Sequence, residues 1–191
     1  MAVREDVVSI LNLYIPYIKH SHTTFETEIP SPEEFEERIL RIQQKLPWLV
    51  CIYEGDFAGY AYATDHRIRS AYQWTKELSV YVHNHYHQKG IASALYTTLV
   101  ELLRIQGVTN CLAGIALPND ASVKFHERFG FKKVGIYSRI GYKHKRFHDV
   151  GWWELFIHQE GNQPSEIIPI GDIERTKEFD FAVKKGLNCI Y

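Results

Sequence analysis

The sequence predicts an α/β domain, a sandwich of strands and helices. The first observation is a change of period at Gly90. In residues 78–82 apolar and more polar side chains alternate, as a strand requires, whereas apolar residues recur every fourth position in residues 91–103, which is typical of an amphipathic helix. The second observation is that another short apolar run, residues 111–117, follows this helix. A strand, a glycine turn, a helix and a second strand therefore form the predicted centre of the fold.

Two helices are predicted before the sheet. Asp6 is suited to cap the first helix, which we expect to end near Pro16 because proline interrupts helices. Ser31, followed by a proline at the first helical position and by Glu34 at the third, predicts a capping box at the start of the second helix. That helix is expected to run to about Lys45.

Six strands are predicted from alternating or apolar runs bounded by turn residues. The residues between the first two, Glu54-Gly55-Asp56, indicate a hairpin. The fourth strand is expected to lie beside the third, and a further helix from Ala121 is expected to end at Gly130. The predicted strands are residues 49–53, 57–63, 78–82, 111–117, 133–140 and 150–157, the last two forming an antiparallel pair.

The predicted domain spans residues 1–160. From Gly161 onward, turn-forming residues are followed by charges mixed with isolated apolar groups, and no clear period remains. We therefore expect residues 161–191 to form a C-terminal extension on the surface.

Composition excludes several classes of protein. The 191 residues include 22 basic and 23 acidic side chains, so there is no excess of positive charge for nucleic acid. No run approaches the roughly 20 apolar residues of a membrane span. Three scattered cysteines are too few for a disulfide framework, which is typical of a reduced cytoplasm. We expect a soluble cytoplasmic protein without nucleic-acid or membrane partners.

The turn at Gly90 predicts a phosphate site. The first amides of a helix have no intrahelical acceptors and carry the positive end of the helix dipole, and a glycine leaves room for close approach. Neither GxxxxGK[ST] nor GxGxxG is present, which argues against nucleoside triphosphates and dinucleotides. An ordinary strand-to-helix turn remains the alternative.

Two motifs resemble those of the GCN5-related N-acetyltransferases (GNAT). His87-Gln-Lys-Gly-Ile-Ala92 resembles their Q/R-x-x-G-x-G/A loop, with His87 at the position of the usual glutamine or arginine. Asn119 and Ser122, followed by residues 125–131, resemble their N-x-x-A/S-x-x-L/F-Y-x-x-x-G-F segment. Residues 71–77, 94–98, 117–120, 142–144 and 148–150 are similar to the phosphinothricin N-acetyltransferase subfamily. The similarity covers roughly residues 4–160.

The resemblance implies the GNAT fold, with a mixed central sheet that splays between the central strand and its neighbour and with helices on both faces. It also implies acetyl coenzyme A as acetyl donor, and a homodimer. The loop amides would hold the pyrophosphate, the central strand would pair with the pantetheine arm, and the cap of the later helix would bond the pantetheine amides. The implied cofactor-binding residues are Val80, Tyr81, Val82, Gln88, Lys89, Gly90, Ile91, Ala92, Ser93 and Asn119.

Such a site performs aminolysis of a thioester, which needs a base for the ammonium and an acid for the leaving thiolate. Glu77, just before the central strand, matches the subfamily's catalytic glutamate and is the expected base. His126 stands where most of the superfamily has a tyrosine and is the expected acid. The ordinary alternatives are a solvated carboxylate at a strand end and an inert histidine on a helix surface.

Substrate choice is expected to depend on basic and phenolic groups around the acetyl end. In the similar subfamily the corresponding groups hold a carboxylate and a phosphinate, so an anionic, amino-acid-like amine is implied. Arg69 is considered the carboxylate anchor, although loop arginines are commonly only solvated. Residues 24–26 are expected to complete the wall. The predicted substrate-binding residues are Arg67, Arg69, Tyr72, Lys143 and His144.

A metal site is not predicted. His83, His85 and His87 have the alternating spacing of a three-histidine zinc site, but no acidic base or fourth ligand stands near them, and they coincide with the cofactor loop.

Two functional classes stay open. The first is an enzyme that acetylates a small amine of the phosphinothricin, methionine sulfone or methionine sulfoximine type, or alternatively a polyamine, an antibiotic or a protein N-terminus. The second is a non-catalytic module that binds acetyl coenzyme A. The presence of Glu77 favours the enzyme.

Overall fold

A computed structural model describes residues 1–158 and 163–191. One six-stranded sheet has the order β1-β2-β3-β4-β6-β5. Only β3 and β4 are parallel, and the other neighbours are antiparallel. The strands are β1 (Trp48–Tyr53), β2 (Asp56–Asp65), β3 (Thr75–Val82), β4 (Asn110–Ala116), β5 (Lys132–Lys143) and β6 (Arg146–Phe156). The helices are α1 (Val7–His20), α2 (Pro32–Gln43), α3 (Ile91–Ile105), α4 (Asp120–Phe129), α5 (Ile170–Ile173) and α6 (Lys177–Leu187).

Apolar layers cover both faces of the sheet. On one face α1 and α2 bury Ile10 and Phe35 against Trp48 of β1. On the other face α3 buries Leu99 and Leu102, which have no solvent exposure. The predicted α/β class, with helices on both faces of a mixed sheet, is confirmed. None of the helices in the described ranges is both long enough and apolar enough to span a membrane.

The sheet opens between β3 and β4. Their pairing is limited to Thr75–Glu77 against Asn110–Leu112, although β3 continues to Val82 and β4 to Ala116. On their other sides β3 is paired with β2 from Lys76 to Val82, and β4 is paired with β6 along its whole length. The two strands therefore diverge beyond Glu77, which is the splay that the resemblance implied.

Local signals predicted most starts and ends of helices. Ser31 accepts a bond from the Glu34 amide and Glu34 bonds the Ser31 amide, which is the expected capping box. Gly130 ends α4 in a left-handed conformation, as predicted. The predicted end of α1 at Pro16 was wrong: the helix continues to His20 because buried Tyr14 and Ile18 on either side of the proline pack against the core. The loss of one backbone hydrogen bond at proline does not outweigh that packing.

The hairpin of β5 and β6 is longer than the sequence predicted. The strands extend to Lys143 and Arg146, and the turn between them places His144 and Lys145 at positive φ. Most of β5 is exposed, so its outer part shows no alternation of apolar and polar side chains from which a strand could be predicted.

The C-terminal residues contribute to the core instead of lying on the surface. Ile170, Ile173 and Ala182 are buried in the same cluster as α3. The sequence shows no clear helical period here, because α5 is only four residues long and charged residues separate the apolar ones of α5 and α6. The predicted division between residues 160 and 161 lies outside the described residues.

Candidate active site

The gap between β3 and β4 leads into a cavity of about 820 Å³. Its walls include Leu78 and Ser79 on one strand and Gly114 on the other, the first turn of α3, and Asn119 before α4. The cavity therefore extends from the opening of the sheet to a helix N-terminus.

Two residues of β3 direct their backbone groups into this gap. The His83 amide donates to the Ala58 carbonyl at 2.8 Å, and in an antiparallel pair such bonds recur at every second residue. The N–H and C=O groups of Tyr81 are thus hydrogen-bonded to β2. Those of Val80 and Val82 face the opposite side, where β4 has diverged. Tyr81 contributes cavity wall but no free backbone group.

The loop between β3 and α3 has the backbone of an anion site. Gln88 and Gly90 both have positive φ, and the first helical bond runs from the Ala94 amide to the Gly90 carbonyl at 2.8 Å. The amides of residues 91–93 consequently have no acceptor within the helix. His87 does not reach toward the loop, because its Nε2 lies 3.1 Å from the Val82 carbonyl, to which it donates.

The structure brings together all of the predicted cofactor residues except one. Lys89 does not line the cavity, and its ammonium lies 5.0 Å from the centre of the Tyr53 ring. Asn119 caps α4 by accepting a bond from the Ser122 amide at 3.1 Å. The predicted residues that line the cavity are Val80, Tyr81, Val82, Gln88, Gly90, Ile91, Ala92, Ser93 and Asn119.

His126 lines the cavity but is not a free acid. Its Nδ1 donates to the Ser122 carbonyl at 2.8 Å, and its Nε2 accepts from the Tyr96 hydroxyl at 2.9 Å. Burial lowers the pKa of His126, so the neutral ring is favoured near pH 7. Protonation of a leaving group by an imidazolium, as the sequence suggested, does not fit this environment.

Glu77 lies inside β3, at the last residue paired with β4, and not before the strand as expected. Its side chain is 33% exposed, and its Oε1 accepts from His66 Nδ1 at 2.6 Å. Arg67 Nε donates to the other ring nitrogen of His66 at 3.3 Å, which assigns the ring proton to Nδ1. Because side chains alternate along a strand, Glu77 shares a sheet face with cavity residue Ser79.

Aromatic rings surround the Glu77 side of the gap. Trp152 of β6 lies over Gly114, where an added Cβ would be 3.2 Å from the indole, and its ring centre is 5.8 Å from that of His66. Tyr72 meets His66 edge to face at 6.1 Å. Trp152 Nε1 is buried and has no hydrogen-bond partner in the described part of the chain. Trp152 lies behind Gly114, which lines the cavity.

The predicted substrate residues separate into two groups. Arg67 and Tyr72 are close to Glu77 through His66, with the guanidinium 5.6 Å from the tyrosine ring centre. Arg69 is exposed on the same segment. Lys143 is 5% exposed and donates to the Tyr17 and Thr24 carbonyls at 3.3 and 2.8 Å.

Burial lowers the pKa of Lys143, and its ammonium is already bonded. Lys143 and His144 line a separate groove with Ile18, and His144 Nε2 donates to the Ser21 carbonyl at 3.3 Å. The structure therefore does not place these two residues with the arginines.

Residues 24–26 are fixed behind the cavity wall by polar bonds. The Tyr14 hydroxyl lies 2.6 Å from Thr24 Oγ1 and 3.1 Å from Glu26 Oε1. Arg38 bonds both oxygens of Glu26, at 2.6 and 3.3 Å. These contacts hold the segment that supplies Thr23 to the cavity.

The three histidines before α3 do not converge. His83 and His85 stack at 5.0 Å, while His87 donates to the Val82 carbonyl. Within residues 1–158 and 163–191 there is no group of three side chains suited to hold a metal ion.

Residues 1–152 match the family model described as an acetyltransferase (GNAT) domain. The chain belongs to the GNAT family. It is therefore an N-acetyltransferase whose acetyl donor is acetyl coenzyme A.

Individual GNAT relatives agree with this assignment. A phosphinothricin N-acetyltransferase of Streptomyces viridochromogenes is 40% identical over 153 residues, 80% of this chain and 84% of that protein. An L-methionine sulfoximine/L-methionine sulfone acetyltransferase of Pseudomonas paraeruginosa is 33% identical over 125 residues, 65% of this chain and 73% of that protein. A phosphinothricin acetyltransferase structure from Sinorhizobium meliloti, in complex with acetyl coenzyme A, has a TM-score of 0.83 and 30% identity, covering 88% of this chain and 93% of that one.

Several residues of this GNAT site were missed from the sequence. His66 follows β2, and only the hairpin register, Asp65 opposite Lys76, brings it to Glu77. In the sequence Tyr96 is one of several residues on the buried face of α3, and its contact with α4 is visible only in the fold. The position of Trp152 over Gly114 depends on the pairing of β6 with β4. Strand register and helix packing were the signals required, and the alternation of side chains alone does not provide them.

Proposed function

We propose that this enzyme acetylates the amine of a small, anionic, amino-acid-like substrate and that Glu77 is its general base. The observation that supports this most is the position of Glu77, half-buried where β3 leaves β4. Its carboxylate is fixed by His66, and an arginine stands next to that histidine. Glu77, Arg67 and the ring of Tyr72 therefore lie together through His66, and Leu78 and Ser79, which follow Glu77 on β3, line the cavity.

The cavity fits acetyl coenzyme A on several grounds. The Val80 backbone and the Val82 amide have no partner on β4 and offer an edge to a pantetheine arm. The amides of residues 91–93 have no acceptor within the helix and are suited to a pyrophosphate. Lys124 and Arg128 of α4 line the same cavity and add positive charge for phosphates. When bound, the cofactor supplies an activated acetyl group as a thioester.

Glu77 takes the proton that the substrate ammonium must lose. His66 Nδ1–H occupies Oε1 and orients the carboxylate, whereas no bond to Oε2 is formed by the residues that the structure describes. That oxygen is the one available to the amine, directly or through water. The amine then attacks the thioester carbonyl and the C–S bond breaks. The leaving thiolate takes its proton from water, because the Tyr96 hydroxyl in the cavity wall donates to His126.

Arg67 is the better placed anchor for a substrate carboxylate. Its Nε bonds His66 and its guanidinium lies over Tyr72, so the two terminal nitrogens are preorganised as a fork beside the base. Arg67 and Arg69 are both exposed, but Arg69, the anchor suggested by the sequence, has no bond to the groups around Glu77 in the described residues.

A paired substrate comparison tests the anion requirement. We expect Arg67→Lys to raise KM for L-methionine sulfone about ten- to a hundredfold, the effect of losing one charge-assisted pair, and to leave the decarboxylated amine nearly unchanged. Arg69→Lys is the matched control and should change neither. Equal losses on both substrates, or none, would instead favour a polyamine, antibiotic or protein amine. Binding without turnover of any amine would favour the non-catalytic module.

We infer that the enzyme is a homodimer formed through the β5–β6 hairpin. β5 is an edge strand of the sheet and carries exposed apolar side chains at Ile136 and Ile140, beside Phe147 of β6. Exposed apolar groups of this kind favour a second copy of the chain, as the family resemblance implies. Sedimentation velocity should give the mass of a dimer, and Ile140→Lys should give that of a monomer. A monomeric wild type would contradict the inference.

We propose the cytoplasm as the compartment. Cys51, Cys111 and Cys189 are all free thiols, and burial raises the pKa of Cys111 to about 12, so that the thiol form is stable. Free thiols suit a reducing compartment. Cell fractionation with an antibody to the protein should place it there, and recovery from a secreted fraction would contradict the proposal.

A further inference from the structure

The C-terminal residues 188–191 are held beside the cofactor loop by α6. That helix packs closely along α3: a Cβ built on Gly186 would lie 2.6 Å from the Ala94 carbonyl oxygen, and Lys185 Nζ is 2.7 Å from Glu101 Oε1. Since α3 begins at the loop, the segment and the loop are attached to the same helix.

Beyond α6 the chain crosses the glycine of the loop. A Cβ on Gly90 would collide with the Cys189 carbonyl. The Tyr191 amide donates to the Lys89 carbonyl at 3.4 Å. This contact uses a loop carbonyl, so the amides of residues 91–93 remain available to an anion.

Tyr191 lines the cavity together with Gln88 and Gly90, yet it is 82% exposed. An aromatic ring with a free face beside a pyrophosphate site is suited to contact a purine base. In coenzyme A the adenine nucleotide lies on the far side of the pyrophosphate from the pantetheine arm. The arm enters the sheet gap, so the nucleotide remains near the outer end of the loop.

We propose that Tyr191 is a cofactor-binding residue whose ring contacts the nucleotide end of coenzyme A. The inference rests on the proposed placement of acetyl coenzyme A in this cavity. It assigns a binding role to the C-terminal segment, which lies beyond the residues that match the family model.

Calorimetric titration with coenzyme A tests this role. Tyr191→Ala should weaken binding about fivefold to thirtyfold, the effect of losing one aromatic–base contact, whereas Tyr191→Phe should bind within about twofold of wild type. Phe181→Ala is the matched control, because Phe181 is an exposed aromatic of α6, 64% accessible, that does not line the cavity. Thermal unfolding of each variant shows that it is folded.

A second ligand separates the nucleotide from the rest of the cofactor. 4′-Phosphopantetheine lacks the nucleotide, so its affinity, measured by competition, should be the same in wild type and in Tyr191→Ala. The proposal would be overturned if Tyr191→Ala bound coenzyme A as tightly as wild type or more tightly. It would also be overturned if the variant lost the same affinity for coenzyme A and for 4′-phosphopantetheine. A wild type that does not bind coenzyme A at all would contradict the cofactor site itself and the inference with it.

Discussion

At the level of single residues, the mechanism depends most on the hydrogen bond from His66 to Glu77. We expect His66→Ala to lower kcat about tenfold or more, because a charge-assisted bond that orients the base is lost, and to leave KM for acetyl coenzyme A unchanged. His66→Asn, whose amide can replace Nδ1–H, should recover most of the rate. Steady-state kinetics of the three proteins provide the test. A role in folding alone would predict no such rescue and would lower the yield of active enzyme instead of kcat.

The buried, neutral His126 makes stability depend on pH. Burial lowers the pKa of His126 in the folded protein, whereas the unfolded chain binds the proton near its ordinary pKa of about 6.5. Between these two values the unfolded state holds more protons, so the free energy of unfolding must fall as the pH falls below about 6.5. The expected slope reaches at most about 1.4 kcal/mol per pH unit.

Urea unfolding between pH 5 and pH 7.5 measures this slope. His126→Gln removes the titrating group, and its stability curve should be flatter than that of wild type over this range. Parallel curves for the two proteins would show that other histidines cause the pH dependence.

Site residues were predictable from the sequence where they belong to a motif that also marks a turn or a helix cap. Gly90 and Asn119 occupy the loop and the helix cap that the sequence indicated. The roles of Arg67 and Lys143 were not predictable, because both depend on contacts across the fold. Lys143 is bonded to carbonyls more than a hundred residues earlier, which no local pattern indicates.

The loop before α3 is the element whose geometry can be tested most simply. Gly90 has φ +80°, and a side chain there would also strike the Cys189 carbonyl. Gly55, in the β1–β2 turn, has φ +92° but nothing within 4 Å of an added Cβ. The two glycines therefore share backbone strain and differ in contacts.

We expect Gly90→Ala to weaken coenzyme A binding by about tenfold or more, because the loop must shift away from the C-terminal segment. Gly55→Ala should lose about 1 kcal/mol of stability through strain and keep its cofactor affinity. Calorimetry and thermal unfolding of both variants give the comparison. Equal affinity in Gly90→Ala and wild type would place the pyrophosphate elsewhere.

Strands and helices were predictable where one face is buried. α2, α3 and α4 begin and end close to where caps and periodicity placed them. The outer ends of β5 and β6, residues 141–143 and 146–149, were missed because the side chains buried there, Lys143 and His148, are polar and give no apolar alternation. The end of α1 was misplaced because tertiary packing outweighs one proline.

For the whole molecule, the α/β class followed from periodicity, but the opening of the sheet did not. The splay depends on β3 and β4 pairing over only three positions, which no residue pattern specifies, and it was implied only by the resemblance. The packing of the C-terminal helix on α3 was likewise not predictable. It requires close contact between Gly186 and Ala94, two small residues that are far apart in the sequence.

In the proposed mechanism the opened sheet presents acetyl coenzyme A to an amine whose proton Glu77 accepts. The most direct test of this mechanism is the release of coenzyme A thiol in the presence of acetyl coenzyme A and L-methionine sulfone, measured for wild type and Glu77→Gln. We predict that wild type transfers the acetyl group, and that Glu77→Gln lowers kcat by about two to four orders of magnitude with unchanged cofactor affinity. An equal kcat in the two proteins would contradict a role for Glu77 as the general base.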